Sequence, residues 1–511
     1  MTIENPRRRR SGRHRRQTSK GVTNVAFPVL TRNIPVYDLL PMEAVELIDQ
    51  ESCRILEEIG IEFRDDESAE MWRVAGADVS GHRIKIDRSL LMTLLAKVPS
   101  NITLNARNPE RNLILGGRNT AFLPGAGMPY IRDFEGVRRY SRKEDLYTIH
   151  RLTHAAPQLQ SLSSTQCEPM DVQVAHRHLY VTYSCLRWSD KPFMSPLAVN
   201  SARAKDVMDM VGIVFGKDFI ENNSVLTAVV NCNSPLVWDA TMLDQLKVYA
   251  KCNQPAMLSP FALGGASTSA STIGAVAQVN AEALAGIAFT QLVRAGSPQI
   301  YGQFMLAVDL QSGAPMGGTP EAAHMMLLTG QMARRYNLPF RTSGFHVGSK
   351  LPDAQAGYES NMLMHAAILC GAHYIFHSAG WLENGLCFSY EKFMLDCDQV
   401  GAWYKYAQGV DLNDLASAME AIREVGPGGH FLGTGHTLAN FETAFYRPAL
   451  MDFKSFEQWT SEGAKDAATR AREMALDVLN HYEEPALDQS RHQELLEFIK
   501  RREREIPRSF E

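Results

Sequence analysis

The residues best placed for chemistry are aromatics, imidazoles and isolated charged groups near the ends of predicted strands. They are Glu168, Asn231, Phe261, Tyr301, Gln303, Phe304, Phe345, His346, Lys350, His377, Trp381 and Glu383. No two His and a carboxylate in this set stand at metal-ligand spacing, so no metal centre is predicted. An aromatic wall beside a carboxylate instead suits a quaternary ammonium ion, because each ring face attracts a cation by roughly 0.5–2 kcal/mol. On that reading Phe345, Phe261 and Trp381 face the cation. Glu383 and Glu359 place negative charge near it or orient a loop, and Gln303 and Tyr301 complete the lining. The basic residues His346 and Lys350 would hold a carboxylate at the other end of the same ligand. Together they outline a site for a betaine. The competing reading makes these rings ordinary core packing, and it is strongest for Phe304 and Tyr301.

Other pairings carry less. His150 with His154 and His373 with His377 share an i, i+4 spacing. The first pair lacks a third ligand, and residues four apart on a strand sit too far apart to chelate one ion. The Gly264–Ser269 run reads equally as an anion cradle or a loop. The nucleotide and acyl-enzyme fingerprints G-x-G-x-x-G, G-x-x-x-x-G-K-[ST] and G-x-S-x-G do not occur in the sequence.

Positioning such residues requires strands whose ends converge. Short apolar or β-branched runs begin near Ala121, Ser161, Phe193, Val225, Ala256, Gln299, Phe340 and His373. Helical patterns lie between them at Arg142–Ala155, Asp171–Leu186, Ala202–Phe215, Trp238–Lys251, Thr272–Ala295, Pro320–Tyr336 and Gly357–Leu369. Eight strands at one βα unit each predict an α/β fold, a TIM (β/α)8 barrel, with a doubly wound sheet as the rival. Ahead of it, residues 25–118 read as a helical N-terminal unit. Its helices lie near 41–60, 66–75 and 87–98, and its small hairpin pairs Ile102–Asn105 with Leu113–Gly117. The barrel is assigned to 119–400. Residues 401–511 form a C-terminal helical region packed on it, with helices at Leu412–Val425, Glu462–Tyr482 and a largely exposed Arg491–Arg504.

Length and charge agree with this division. The chain has 511 residues and a formal net charge of −5. Residues 1–20 hold seven Arg and one Lys against one Glu, which leaves the remainder at −12. Residues 1–24 therefore read as a disordered Arg-rich leader. A nucleic-acid-binding tail is the alternative, disfavoured because no aromatic is interleaved with the arginines. No secretory signal follows the leader, and no uninterrupted apolar stretch is long enough for a membrane span. The eight Cys form no C-x-x-C pair, as expected of reduced thiols in a cytoplasmic protein.

Four segments resemble the trimethylamine methyltransferase family: Leu123–Tyr130, Gly348–Glu359, Gly380–Leu386 and Gly429–His436. The resemblance covers nearly the whole chain from about residue 25. It implies a TIM-barrel enzyme that passes a methyl group from an amine to the Co(I) of a corrinoid (cobalamin) on a separate small protein, with no tightly bound cofactor of its own. Archaeal members acting on trimethylamine carry pyrrolysine, whereas this sequence uses the twenty standard residues. Related members without pyrrolysine resemble methyltransferases for glycine betaine and other betaines. The expected function is thus transfer of a methyl group from a quaternary amine to a corrinoid protein. Pyrrolysine-independent demethylation of trimethylamine and non-catalytic betaine binding are the alternatives, and a homo-oligomer is compatible with the sequence.

Overall fold

The protein is described by a computed structural model covering residues 27–197 and 200–507; the Arg-rich leader at 1–24 lies outside the described residues. At its centre is a curled eight-stranded sheet. Seven of its strands are parallel: Asn119–Phe122, Tyr374–Phe376, Phe340–Ser343, Gln299–Gly302, Ala256–Leu258, Leu226–Val230 and Phe193–Met194, in that spatial order. The two-residue strand Leu30–Thr31 joins Asn119–Phe122 antiparallel. Between the outer parallel strands runs the segment at 160–162. The amides of Gln160 and Ser161 donate to the Phe122 carbonyl, and Leu162 bridges Phe193 in parallel.

These short strands are buried on both faces and so read as nearly continuous apolar runs without polar alternation. Leu226–Val230 is buried at every position. One face, with Ala121, Met194, Val229, Met257, Ile300 and Tyr374, forms an inner apolar cluster. The other face packs outward on helices Lys143–Ala155, Arg177–Trp188, Ser201–Phe215, Ala240–Lys251, Thr272–Val293, Pro320–Arg335 and Ala354–Leu369. Local signals set the starts of several helices. Thr319 accepts a hydrogen bond from the Ala322 amide with Pro320 at the first helical position, and Asp353 caps the next helix through the Ala356 amide.

The N-terminal segment contains the expected helices as Met42–Arg54, Asp66–Val74 and Arg88–Leu95. The first continues into a π-helical turn at Ile55–Ile59 and stops at Gly60, whose φ of 80° favours glycine. The hairpin pairs Ile102–Leu104 with Leu113–Leu115. Its buried residues Ile102, Leu104, Leu113 and Leu115 belong to the same cluster as the inward side chains of the sheet, so it plugs that end. A mixed sheet, unforeseen in sequence, ties Ile61–Phe63 to Arg83–Lys85 and to Val237–Trp238.

On the C-terminal side an 18-residue helix, Tyr390–Ala407, was not anticipated and runs through position 400. It packs on Ala467–Asn480. The final helix, Gln489–Glu505, was expected to be largely exposed. Most of its residues are exposed, and it docks through the buried Leu495, Phe498 and Ile499 and through Arg502, which reaches Asp206 at 2.7 Å. Among the described residues one helix, Thr272–Val293, is long and apolar enough to cross a membrane, and it is mostly buried inside the fold. All eight Cys are free.

Candidate functional site

Phe304 sits just past the end of the Gln299–Gly302 strand, where the next short strand begins. Around its ring stand Phe261 at 5.0 Å between centroids, His377 at 5.0 Å, His346 at 5.4 Å and Trp381 at 6.2 Å. Trp381 lies 4.3 Å from His377, which stacks on Phe376 at 3.9 Å. All belong to the segments that follow the C-terminal ends of the parallel strands, where enzymes with curled parallel sheets place their chemistry.

The backbone is shaped to bring these rings together. His377 has φ 57°, uncommon for a residue with a side chain, and its Nδ1 meets Ser343 Oγ at 2.9 Å. Trp381 is wedged between two glycines. A Cβ at Gly385 would meet Trp381 Cζ2 at 2.4 Å, and one at Gly125 would meet its Cε3 at 2.9 Å. Both close approaches are open to glycine alone. The Trp381 loop is tied to the preceding one by backbone bonds from Glu383 N to Ser349 O and from Asn384 N to Val347 O, both 2.9 Å.

Beneath this cluster lies Arg341, unremarked in the sequence. It is 1% exposed, donates from Nη1 to Ser259 Oγ at 2.7 Å and to the Gln303 carbonyl at 2.6 Å, and lies 4.8 Å from the Phe376 ring. Four buried nitrogens here have no hydrogen-bond partner: Arg341 Nε, both ring nitrogens of His346, and Trp381 Nε1. Buried polar groups are nearly always paired, so this group is what a site for a polar ligand would contain. Burial, then the charge of Arg341, pulls His346 down to about 3 and His377 well below its usual value. Both imidazoles are neutral at pH 7. Burial lowers Arg341 to about 9, so it remains cationic.

Of the residues singled out from sequence, the fold brings His346, Trp381 and Phe261 together, with Phe261 half-exposed on the rim. The others face different neighbours. Tyr301 points outward, donating from its hydroxyl to Asn280 Oδ1 at 2.7 Å on the Thr272–Val293 helix. Phe345 is fully buried, and the ammonium it faces is internal, Lys392 Nζ at 5.2 Å. Gln303 uses its side chain on Thr342 Oγ1 at 2.7 Å and on the Met305 amide at 2.9 Å, and it is its carbonyl that holds Arg341. Lys350 is exposed and donates to the Gly348 carbonyl at 2.9 Å.

The two acids act as braces. Glu359 accepts from the amides of Gly348 at 2.7 Å and Ser349 at 3.1 Å, fixing their loop to the Ala354–Leu369 helix. Glu383 forms a forked pair with Arg138 at 3.0 Å, and that guanidinium also stacks 3.6 Å over Tyr130. The acids expected beside a cation are thus engaged elsewhere, and the cationic side chain next to the ring cluster is Arg341, with Lys350 exposed. Nothing in the sequence marked Arg341 except its place in a strand otherwise buried. Among the described residues no cluster of His, Cys, Asp and Glu could hold a metal ion. His150 is instead held between the Ser164 carbonyl at 2.8 Å and Ser184 Oγ at 2.6 Å.

Comparison with known proteins bears on this arrangement. The chain is 37% identical over 474 residues to glycine betaine methyltransferase of Desulfitobacterium hafniense, covering 93% of this chain and 98% of that one. It is 28% identical over 403 residues to proline betaine:corrinoid methyltransferase of Eubacterium limosum, covering 76% and 82%. Among solved structures it superposes on the monomethylamine methyltransferase of Methanosarcina barkeri with a TM-score of 0.50 at 10% identity, over 87% of this chain and 93% of that one, a likeness of fold. Residues 6–507 match the family described as trimethylamine methyltransferase, so this chain is a member of the trimethylamine methyltransferase family.

Proposed function

We propose that this protein is a methyltransferase that moves one N-methyl group of a betaine, glycine betaine or a close analogue, to the Co(I) of a corrinoid carried by a separate protein, releasing the demethylated amine. The observation that carries this reading is the ring of four unpartnered buried nitrogens around Phe304, flanked by aromatic faces. The relatives named for glycine betaine and for proline betaine with a corrinoid support it.

The corrinoid is a substrate here and supplies the cobalt electron pair that bonds the methyl carbon. The C–N bond pair stays on nitrogen, and the product leaves as a neutral tertiary amine. No general acid is then required. The neutral His346 and His377 fit that requirement, and so does the engagement of Glu359 and Glu383 outside the cluster. The work left to the protein is to hold the donor with one methyl group toward the acceptor. Phe304 and Trp381 provide the ring faces, and the half-exposed Phe261 marks the open edge from which an acceptor approaches.

The same reading covers the architecture. The bonds from Gln160 and Ser161 to Phe122, and the bridge from Leu162 to Phe193, support a closed (β/α)8 barrel over 119–400, with 25–118 and 401–511 as flanking helical regions. The free thiols and the burial of the Thr272–Val293 helix support a cytoplasmic protein.

The test mixes the protein with reduced corrinoid and a panel of methylated amines, and follows conversion of cob(I)alamin to methylcobalamin by absorbance. Glycine betaine or another betaine is expected to drive conversion. Conversion with trimethylamine and with no quaternary amine would reverse the reading.

A further inference from the structure

Arg341 is a buried cation without a counterion. It is second in the Phe340–Ser343 strand. Phe340 belongs to the outer core, so the two-residue period turns Arg341 to the inner face. Its contacts are neutral: Ser259 Oγ, the Gln303 carbonyl, and the rings of Phe376 and Phe304, the latter at 5.9 Å. Among the described residues no carboxylate forms an ion pair with it, in contrast to Arg88 with Asp49, Arg139 with Asp145 and Arg502 with Asp206, while the buried Arg32 spreads over three carbonyls. A buried charge left unpaired is strongly destabilising. Its Nε is also free of any hydrogen bond.

Resting on the betaine reading above, we propose that Arg341 is the anchor for the carboxylate of the donor, so that the site selects zwitterionic quaternary amines over cations that carry no anionic group. The guanidinium presents an unused N–H to a carboxylate in a charge-assisted bond, the kind of pairing that suits arginine. Phe304 neighbours both Arg341 and the rings of Trp381, His346 and Phe261, so an ammonium joined to that carboxylate by a short linker lies within reach of aromatic faces. A lone cation in the same place meets an uncompensated positive charge in a dry environment and is repelled. Lys350 cannot replace Arg341, since it is exposed and occupied by the Gly348 carbonyl, and the neutral His346 offers a hydrogen bond without charge.

Calorimetric titration with glycine betaine, choline and tetramethylammonium reads this directly in the wild-type protein, Arg341→Met and Arg341→Lys. Wild type is expected to bind glycine betaine about 100-fold more tightly than choline, and Arg341→Met to shrink that ratio by a similar factor. Arg341→Lys should restore part of the ratio, because charge returns without the planar fork. A wild-type ratio near one, or a Met variant that weakens both ligands equally, overturns the anchor. If Arg341→Met fails to fold by circular dichroism, Arg341→Lys decides, since a ratio unchanged from wild type overturns the proposal. The two readings fail separately. Methyl transfer without preference for a carboxylate removes the anchor alone, and preferential glycine betaine binding without transfer to the corrinoid removes the proposed function alone.

Discussion

The two ends of the same parallel strands treat most of their buried polar groups differently, Thr227 Oγ1 being an unpaired exception at the N-terminal side. At the N-terminal ends polar groups are pinned. Thr120 Oγ1 donates to the Ala372 carbonyl at 2.6 Å, and Arg32 spreads its guanidinium over the carbonyls of Gly117, Arg118 and Ala372. Gln254 accepts from the Val225 amide at 2.8 Å and donates to three carbonyls. His373 meets the Phe340 amide through Nδ1 at 2.9 Å and the Gly117 carbonyl through Nε2 at 3.0 Å. Toward the C-terminal ends, the Arg341 guanidinium, which reaches the Gln303 carbonyl from the second position of its strand, and His346 and Trp381, in the segments after the strands, keep nitrogens unpaired. A buried group left unpaired costs stability. On the proposed function, the difference separates the end that holds the fold from the end kept ready for a ligand.

Two buried cations give the sharpest contrast. Lys191 is 6% exposed, and its Nζ donates to the carbonyls of Thr153, Ala156 and Leu159 at 2.7, 2.8 and 2.6 Å. Burial drives its basicity well down, while three carbonyl acceptors use all three N–H groups of the ammonium. Lys191→Met removes the ammonium donor from all three carbonyls, leaving Ala156 O only the Leu159 amide at 3.3 Å, and is expected to cost about 3–5 kcal/mol in chemical denaturation. Arg341→Met removes a charge that is only half-satisfied, so its stability should change by less than about 1 kcal/mol while betaine binding falls. Equal destabilisation by the two variants would erase the distinction between the ends.

Acid should act on both ends through their histidines. Burial holds His373 at about 4 and His346 at about 3, both below the ordinary imidazole value of 6.5. Because the folded value is depressed, the unfolded chain binds the extra proton first. Stability is full above pH 6.5 and is lost as pH falls through the window toward 4 and 3, by up to about 1.4 kcal/mol per pH unit for each group. Denaturation curves at pH 7.5, 5.5 and 4.5 should show the slope, and His373→Asn and His346→Asn should each flatten it. At pH 7.5 the two variants should part company. His373→Asn should lower stability, because Phe340 N and Gly117 O lose a partner. His346→Asn should weaken betaine binding.

How far these ends were legible in sequence follows from the same physics. Seven runs expected to open strands do so within about two residues, at Asn119, Phe193, Leu226, Ala256, Gln299, Phe340 and Tyr374, because a parallel strand buried on both faces is a continuous apolar run. That same burial hides direction. With both faces apolar nothing told Tyr301, which turns outward to Asn280, from Arg341, which turns inward, so the first was placed in the site and the second was missed. The small sheets were invisible for another reason. Tyr130–Arg132 pairs with Cys387–Ser389 across more than 250 residues, and strands of three residues carry no period of their own. The Tyr390–Ala407 helix follows the Trp381–Leu382 and Cys387–Ser389 hairpin and so stands outside the plain alternation of strand and helix.

Rings should matter less than charge. Trp381 contributes one aromatic face to the proposed cation site, so Trp381→Leu should raise KM for glycine betaine by roughly 3- to 30-fold, the range of one cation–π contact. The matching change toward the pinned end is Tyr374→Phe, which deletes the 2.6 Å bond to Ser161 Oγ. It should cost about 1 kcal/mol in denaturation and leave KM in place. A shift in KM from Tyr374→Phe would show that the ligand reaches deeper between the strands than the Phe304 cluster.

The smallest effect belongs to Glu383 and tests whether any carboxylate of the protein serves the cation. Its side chain is 15% exposed and forked onto Arg138, itself 43% exposed, and its backbone φ of 55° holds the loop that carries Trp381. If Glu383 only braces that loop, Glu383→Gln keeps a hydrogen bond to Arg138 and gives up an ion pair near the surface, worth up to about 1 kcal/mol. The expected change in kcat/KM for glycine betaine is then less than about fivefold, and raising the salt concentration should reduce it further. If Glu383 instead faces the ammonium across the ring cluster, neutralising it should cost at least as much as Trp381→Leu and should weaken tetramethylammonium and glycine betaine alike. The geometry favours the brace, since both carboxylate oxygens are already within 3.0 Å of the Arg138 guanidinium. Positive charge on the ligand is then met by rings, and among the described residues the only full charge the proposed site directs at the donor is the one that seeks its carboxylate.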